Sequence, residues 1–384
     1  MRVDPTMAAD LEGVRVRLAA LGRSHQPEDV AAAMREQGMV VTDSMVVWVL
    51  EMLRHTSIGA GPLDPLLSLP GVTDVLVNGA DEVWIDRGQG LERTSVRFAD
   101  EEEVRRLATR LAANAGRRLD ESSPWVDARM GDGTRVHAVL PALASPGTCI
   151  SLRVPSRRQL SLEDWREGGG LDAFGESLLS TLVEQRAAFL VSGGTGSGKT
   201  TLLSTILGAV PATERIVVVE DSRELTPAHP HVVRLEARLA NAEGAGAVSL
   251  TVLVRQALRM RPDRLVVGEV RGAEICDLLT AMNTGHEGGC GTIHANSVAD
   301  VPARLEALAA LGHLSRDACH AQALAALDLV LHVARWPDGR RRLTQVGLVT
   351  GEVGSLHIET AVEWGPSGVR RGSGWEALKR RWQL

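Results

Sequence analysis

Eight consecutive residues, Gly193-Gly194-Thr195-Gly196-Ser197-Gly198-Lys199-Thr200, constrain this chain more than any other stretch, because they fit G-x-x-x-x-G-K-[ST] at every required position. Glycines let successive backbone NH groups turn inward around a phosphate without Cβ clashes, and the N-terminus of a following helix favours negative charge. Lys199 is then placed to reach β- and γ-phosphates and the Thr200 hydroxyl to meet Mg²⁺, so the implied ligands are ATP and Mg²⁺. Thr201 is counted with the nucleotide-binding residues. The flanks agree with the motif: Ala187 to Ser192 (AAFLVS) reads as a short buried strand, and Thr200 to Leu207 (TTLLSTIL) as the start of a helix. Lysine usage adds an independent argument. Lys199 and Lys379 are the chain's two lysines among 42 basic residues, the rest being arginine, so a lysine at this position is not an accident of composition.

At 384 residues the chain is long enough for two domains, each with its own core. Hydrophobic content of 44% and charged content of 23% are ordinary for a soluble globular protein. No stretch approaches the length of an apolar membrane span and no signal-peptide core opens the chain, so the expectation is a cytoplasmic protein held at most against a membrane surface. The four cysteines (Cys149, Cys276, Cys290, Cys319) form no C-x-x-C pair, which argues against zinc and against a disulfide framework. A net charge of −6, no Tyr and three Phe disfavour nucleic acid as a partner, since they remove both a global field and most stacking platforms.

Along the chain, residues 1–57 read as a helical N-terminal region, with Leu11, Val14 and Leu18 on one face and Thr42-Asp43-Ser44 capping an apolar segment from Met45 to Leu53. Residues 58–154 read as a compact α+β domain. Its expected strands lie at Val72 to Val77, Val83 to Ile85, a third ending near Phe98 after the Arg87-Gly88-Gln89-Gly90 turn, two about the Asp132-Gly133 hairpin, and Cys149 to Val154; a helix carries Val104, Leu107 and Leu111. Residues 155–171, charged and with three consecutive glycines, are expected to be a linker. Residues 172–350 alternate helices with apolar strands at Phe189, Ile216, Val232, Leu265, Gly291 and Leu329, the pattern of a mainly parallel α/β sheet that binds ligands at the carboxyl ends of its strands. Arg342 to Val349 and Leu356 to Val362 are expected to be terminal edge strands, and residues 351–384 to end in a basic, solvated tail carrying Arg370, Arg371, Lys379, Arg380 and Arg381.

A phosphate cradle alone hydrolyses nothing: phosphoryl transfer also needs a carboxylate, a water-orienting group and positive charge. Ile216 to Val219 delivers Glu220 and Asp221 to a strand end, with Glu224 close behind, and Leu265 to Gly268 delivers Glu269. Either of Glu220 and Glu269 can polarise water while the other holds the metal with Thr200; spacing does not decide which. His294, after the strand Gly291 to Ile293, is placed to report loss of the γ-phosphate. His286 and His294 lack partners at metal-ligand spacing. Among the arginines, Arg135 and Arg153 fall late in the first domain, and Arg255, Arg259, Arg261, Arg264 and Arg271 flank the Glu269 strand.

Taken together, the P-loop, EDSRE (Glu220 to Glu224), ALRMRPDRLVVGEVRG (Ala257 to Gly272) and TGHEGGCGTIHANS (Thr284 to Ser297) resemble the motifs of the secretion-ATPase superfamily of type II and type IV secretion systems. GPLDPLLSLPGVTDVLVNG (Gly61 to Gly79) is similar to the start of that family's N-terminal domain, and the whole is most similar to the Tad/Flp pilus-assembly and type IV secretion branch. The resemblance implies a RecA-like C-terminal domain, a smaller N-terminal domain, and a homo-hexameric ring working with an inner-membrane platform protein at its cytoplasmic face. Carried over residue by residue, Lys199 and Thr200 match the Walker A box, Glu220 and Glu224 the acidic box, Glu269 the Walker B box and His294 the histidine box. Arg135 and Arg153 resemble the arginines that the N-terminal domain brings to the phosphates. The resemblance also favours Glu269 as the water-activating acid. The four-cysteine insert of many type II members has no counterpart here, which points to the Tad or type IV branch. The leading expectation is therefore a motor that powers pilus assembly or protein secretion. A RecA-like DNA translocase is the alternative, and a non-catalytic nucleotide sensor a third reading.

Overall fold

The computed structural model describes residues 13–14, 17–18, 27–39, 41–42, 45–46, 49, 59–88, 90–155, 159–238, 240, 245–285, 287–366 and 368–384. Leu11, Asp43, Ser44, Leu53, Gln89 and His286, singled out above, lie outside them. The chain divides into two compact units, Met1–Pro155 and Ser156–Leu384.

In the first unit, helix α1 (Pro27–Glu36) buries Val30, Ala33 and Met34 in a small cluster with Val14, Leu18, Val46 and Val49. A short helix α2 (Asp64–Leu67) leads into strands β1 (Asp74–Asn78), β2 (Val83–Asp86) and β3 (Leu91–Arg93), then helix α3 (Glu101–Asn114) and strands β4 (Trp125–Arg129), β5 (Arg135–Val139) and β6 (Cys149–Arg153). The six strands form one antiparallel sheet in the order β3-β2-β1-β6-β5-β4. Alternation decides its buried face: Val75, Val77, Val136, Ala138, Ile150 and Leu152 sit at every second position, against Val104, Leu107, Ala108 and Leu111 of α3. Asp100 caps α3 by accepting from the Glu103 amide at 2.8 Å, and Glu103 reaches back to the Ala99 amide at 2.7 Å.

The second unit starts within the stretch expected to be a linker, and much of that stretch is ordered core. Ser161 and Asp164 form a reciprocal capping box that starts helix α4 (Leu162–Glu167), and Trp165 is buried with its Nε1 donating to Thr205 Oγ1 at 3.0 Å. The three glycines follow the helix because they must pass under it: a Cβ on Gly170 would lie 2.5 Å from the Trp165 ring. Trp165→Ala is expected to cost about 3–5 kcal/mol of stability, read by denaturant unfolding, because it opens a cavity beneath the P-loop helix and removes the indole donor.

The remaining elements are α5 (Ala173–Glu184), β7 (Phe189–Gly193), α6 (Lys199–Gly208), β8 (Ile216–Glu220), β9 (Val232–Glu236), α7 (Leu250–Ala257), β10 (Arg264–Val270), α8 (Glu274–Met282), β11 (Cys290–His294), α9 (Val301–Leu311), α10 (Arg316–Ala326), β12 (Leu329–Arg335), β13 (Arg341–Glu352), β14 (Ser355–Gly365), β15 (Gly368–Arg371) and α11 (Trp375–Trp382). They build a nine-stranded sheet, β15-β14-β13-β12-β7-β11-β10-β8-β9, in which β12 through β9 run parallel and β13 to β15 extend it antiparallel. Central strands are buried on both faces, hence their unbroken apolar runs. Phe189, Val191, Ile216 and Val218 face one core with α5 and α6, while Leu190, Val217 and Val219 face the other with α7 to α10.

Two expectations are corrected at the C-terminal end. β13 and β14 are interior strands, and β15 and β9 are the edges. The basic tail is a packed helix: Leu378 and Trp382 of α11 are buried in the sheet's core. Its charges ride on that apolar stripe, with Arg381 paired to Asp328 and lying 4.9 Å from the Trp382 ring centroid.

Candidate active site

The parallel pairing gathers the sequence motifs at one edge. β7, which ends in the P-loop, pairs directly with β11 (Gly193 opposite His294), β11 with β10, and β10 with β8. Glu220, Glu269 and His294 therefore all stand at the carboxyl ends of strands, beside the loop that carries Lys199.

The loop turns directly into α6. Gly198 caps that helix in the left-handed region at φ 100°, and a Cβ there would lie 2.8 Å from Arg341 Cδ, so glycine is required on two counts. Gly194 and Gly196 would place a Cβ in open space, which leaves the concave side of the loop lined by backbone. With the helix N-terminus behind it, that concavity fits a polyphosphate. Thr200 stands in the first turn of α6, where its hydroxyl could serve as a metal ligand.

Lys199 is buried, and its Nζ donates to Gly193 O at 3.1 Å and Gly194 O at 3.0 Å. Burial pulls its pKa below the usual lysine value, while the negative charges of Glu269 and Glu224 push the other way. His294 Nε2 lies 3.5 Å from Lys199 Nζ and donates to Glu269 Oε1 at 2.8 Å, which requires the tautomer protonated at Nε2. Burial, followed by the Lys199 charge, lowers the His294 pKa and favours the neutral ring. On the other oxygen of Glu269, Arg271 Nε donates at 2.6 Å. Arg271 is held in turn through its backbone: Glu274 Oε1 accepts from the Arg271 and Gly272 amides at 2.6 and 2.7 Å and so fixes the turn after β10.

Glu220 has different partners. It is 3% exposed, and its Oε1 accepts from the Glu224 and Leu225 amides, both at 2.9 Å, folding the acidic segment back over the strand end. Its Oε2 is buried without a hydrogen-bond partner, and burial pushes its pKa up to about 7. Gly268 makes the room, since a Cβ there would lie 2.5 Å from Glu220 Cγ. The two acids are thus neighbours on adjacent strands with separate partners. Glu269 faces His294 and Arg271, whereas Glu220 faces the backbone of its own loop and brings Glu224 within electrostatic reach of Lys199.

Arg135 and Arg153 belong to the first unit, where they stand directly opposite one another on β5 and β6, Arg135 lying 3.6 Å from Asp127. Arg255 pairs with Asp277 on the surface, and Arg264 is buried against Glu214 at 2.7 Å. Sequence reasoning missed Arg341, which carries no motif. It reaches the P-loop from the start of β13, its Nε donating to Gly196 O at 3.2 Å. Ser192, just before the loop, shares a 2.9 Å hydrogen bond with the buried His332 of β12.

Residues 56–352 match the family model described as type II/IV secretion system protein. A Mycobacterium tuberculosis protein named for conjugal transfer is 55% identical over 324 residues, covering 83% of this chain and 92% of its own. The type IV secretion system protein PtlH of Bordetella pertussis is 33% identical over 319 residues, covering 74% and 92% respectively. Among solved structures, the ATPase DotB of Legionella pneumophila matches with a TM-score of 0.53 at 22% identity over 79% of this chain and 80% of its own. The pilus retraction motor PilT with bound ADP matches with 0.52 at 19% identity over 81% and 83%. Those two likenesses speak to the fold alone; the family-model match and the two sequence relatives establish that this chain is a member of the type II/IV secretion system protein family.

Proposed function

We propose that the protein is a Mg²⁺-dependent ATPase motor that powers secretion or pilus assembly from the cytoplasmic face of the inner membrane, working as a homo-hexamer with a membrane platform protein. The observation that carries this reading is the convergence of Lys199, Glu269, His294 and Arg271 at the mouth of the P-loop. A structural glycine turn has no use for a buried lysine facing a carboxylate that is itself gripped from both sides.

In this reading the P-loop amides and Lys199 bind the β- and γ-phosphates, and Thr200 and Glu269 hold Mg²⁺ or its water shell. The metal would supply charge neutralisation on the transferred phosphoryl group. Glu269 orients and deprotonates the attacking water; His294, hydrogen-bonded to Glu269, senses the γ-phosphate. Glu220 shapes the acidic loop and places Glu224. Arg135 and Arg153 stand opposite one another on β5 and β6, two adjacent guanidinium groups of the kind that suits a polyanion. Phosphate loss then changes which of these groups are satisfied, which is the local event a motor converts into motion.

Steady-state MgATP hydrolysis by the purified chain tests the reading when run alone, with single- and double-stranded DNA, and with anionic lipid vesicles. Turnover stimulated by vesicles and not by DNA is expected. Salt-sensitive stimulation by DNA would instead establish the translocase.

A further inference from the structure

The P-loop has two sides, and the fold assigns them different tasks. β11 with His294 and β10 with Glu269 lie on one side of β7, and β12 and β13 lie on the other. The reacting phosphate must face Glu269 and His294, so the nucleoside end of the nucleotide leaves the cradle towards β12 and β13. Arg341 is the side chain waiting there. Its Nε donates to Gly196 O at 3.2 Å, and its aliphatic stem runs over Gly198, where an added Cβ would meet Cδ at 2.8 Å and Cβ at 3.4 Å. The backbone of Arg341 is fixed from behind. Leu343 N donates to Gly170 O at 3.0 Å, and a Cβ on Gly170 would lie 2.8 Å from Arg341 O, so the glycine run after α4 presses against the first residues of β13. The residue itself is exposed, and its planar, permanently charged guanidinium is suited to lie flat on an aromatic base.

We propose that Arg341 contacts the nucleoside of the bound nucleotide, its guanidinium lying against the base, and that this contact is how the site distinguishes nucleotides from bare polyphosphates. The inference rests on the ATPase reading of the same site and adds the recognition of the nucleoside to it.

Equilibrium binding of Mg-ADP and of inorganic tripolyphosphate to the full chain, followed by calorimetry for the parent, R341A and R341K, tests the proposal. R341A is expected to weaken ADP about tenfold while tripolyphosphate changes by less than about twofold, with R341K recovering part of the loss through its charge alone. In turnover, the R341A defect should fall more on KM than on kcat. Equal weakening of both ligands would mean that Arg341 only shapes the loop, and unchanged ADP binding would mean that it touches nothing; either overturns the proposal alone. A parent protein that binds neither ligand overturns the ATPase reading, and this inference with it.

Discussion

Lys199→Ala should reduce MgATP turnover by about 10²–10³-fold and weaken nucleotide binding with it, because it removes the cation at the position where negative charge accumulates during phosphoryl transfer. The surroundings make the loss severe. Lys199 is 7% exposed, and its Nζ is already hydrogen-bonded to the Gly193 and Gly194 carbonyls. Alanine therefore leaves those carbonyls without their donor and removes the Lys199 charge from beside Glu269, which keeps Arg271 alone as its cation. Arginine would be no rescue, since its planar fork cannot reproduce a point charge seated between two loop carbonyls. A coupled phosphate-release assay, with circular dichroism to confirm that the variant is folded, reads the result. Normal turnover in the folded variant would remove the site assignment.

Glu269→Gln should separate binding from chemistry. The amide keeps the shape: its oxygen can accept from Arg271 and its NH2 can donate to His294 Nε2 once that ring takes the Nδ1–H tautomer, but it cannot accept a proton from water, so hydrolysis is expected to fall by about 10²–10⁴-fold with ATP still bound. Glu220→Gln provides the contrast. Its Oε1 accepts two backbone amides, a task that a glutamine oxygen also performs, and burial already favours the neutral acid by pushing its pKa up to about 7. The Glu220 variant should lose less than about tenfold, since its hydrogen bonds survive the change. Single-turnover hydrolysis alongside nucleotide binding for both variants decides the matter. An equal loss in the two would mean that the acids share the water, as two coupled carboxylates can.

Much of the architecture was legible in one dimension because its signals are local. Runs such as IVVVE and LVVGE are short, apolar and end in an acid, which is what a strand buried on both faces and open at its carboxyl end must look like. Residues 155–171 misled because charge and three glycines resemble a spacer, although Ser161-Leu162-Glu163-Asp164 also spells a capping box that begins a helix. The tail misled for a related reason: five basic residues outweighed Leu378 and Trp382, whose four-residue spacing marks the buried stripe of α11.

By itself the sequence determined the phosphate cradle, the strands that deliver acids to it and the family, since each depends on residues adjacent in the chain. Tertiary structure alone decided which partners those acids meet. Glu269 meets His294 and Arg271, and Glu220 meets the amides of its own loop, because strand order and register choose partners and no spacing encodes them. Arg341 makes the same point across 145 positions of chain: its contact with Gly196 exists because β13 returns alongside β12, the neighbour of the P-loop strand.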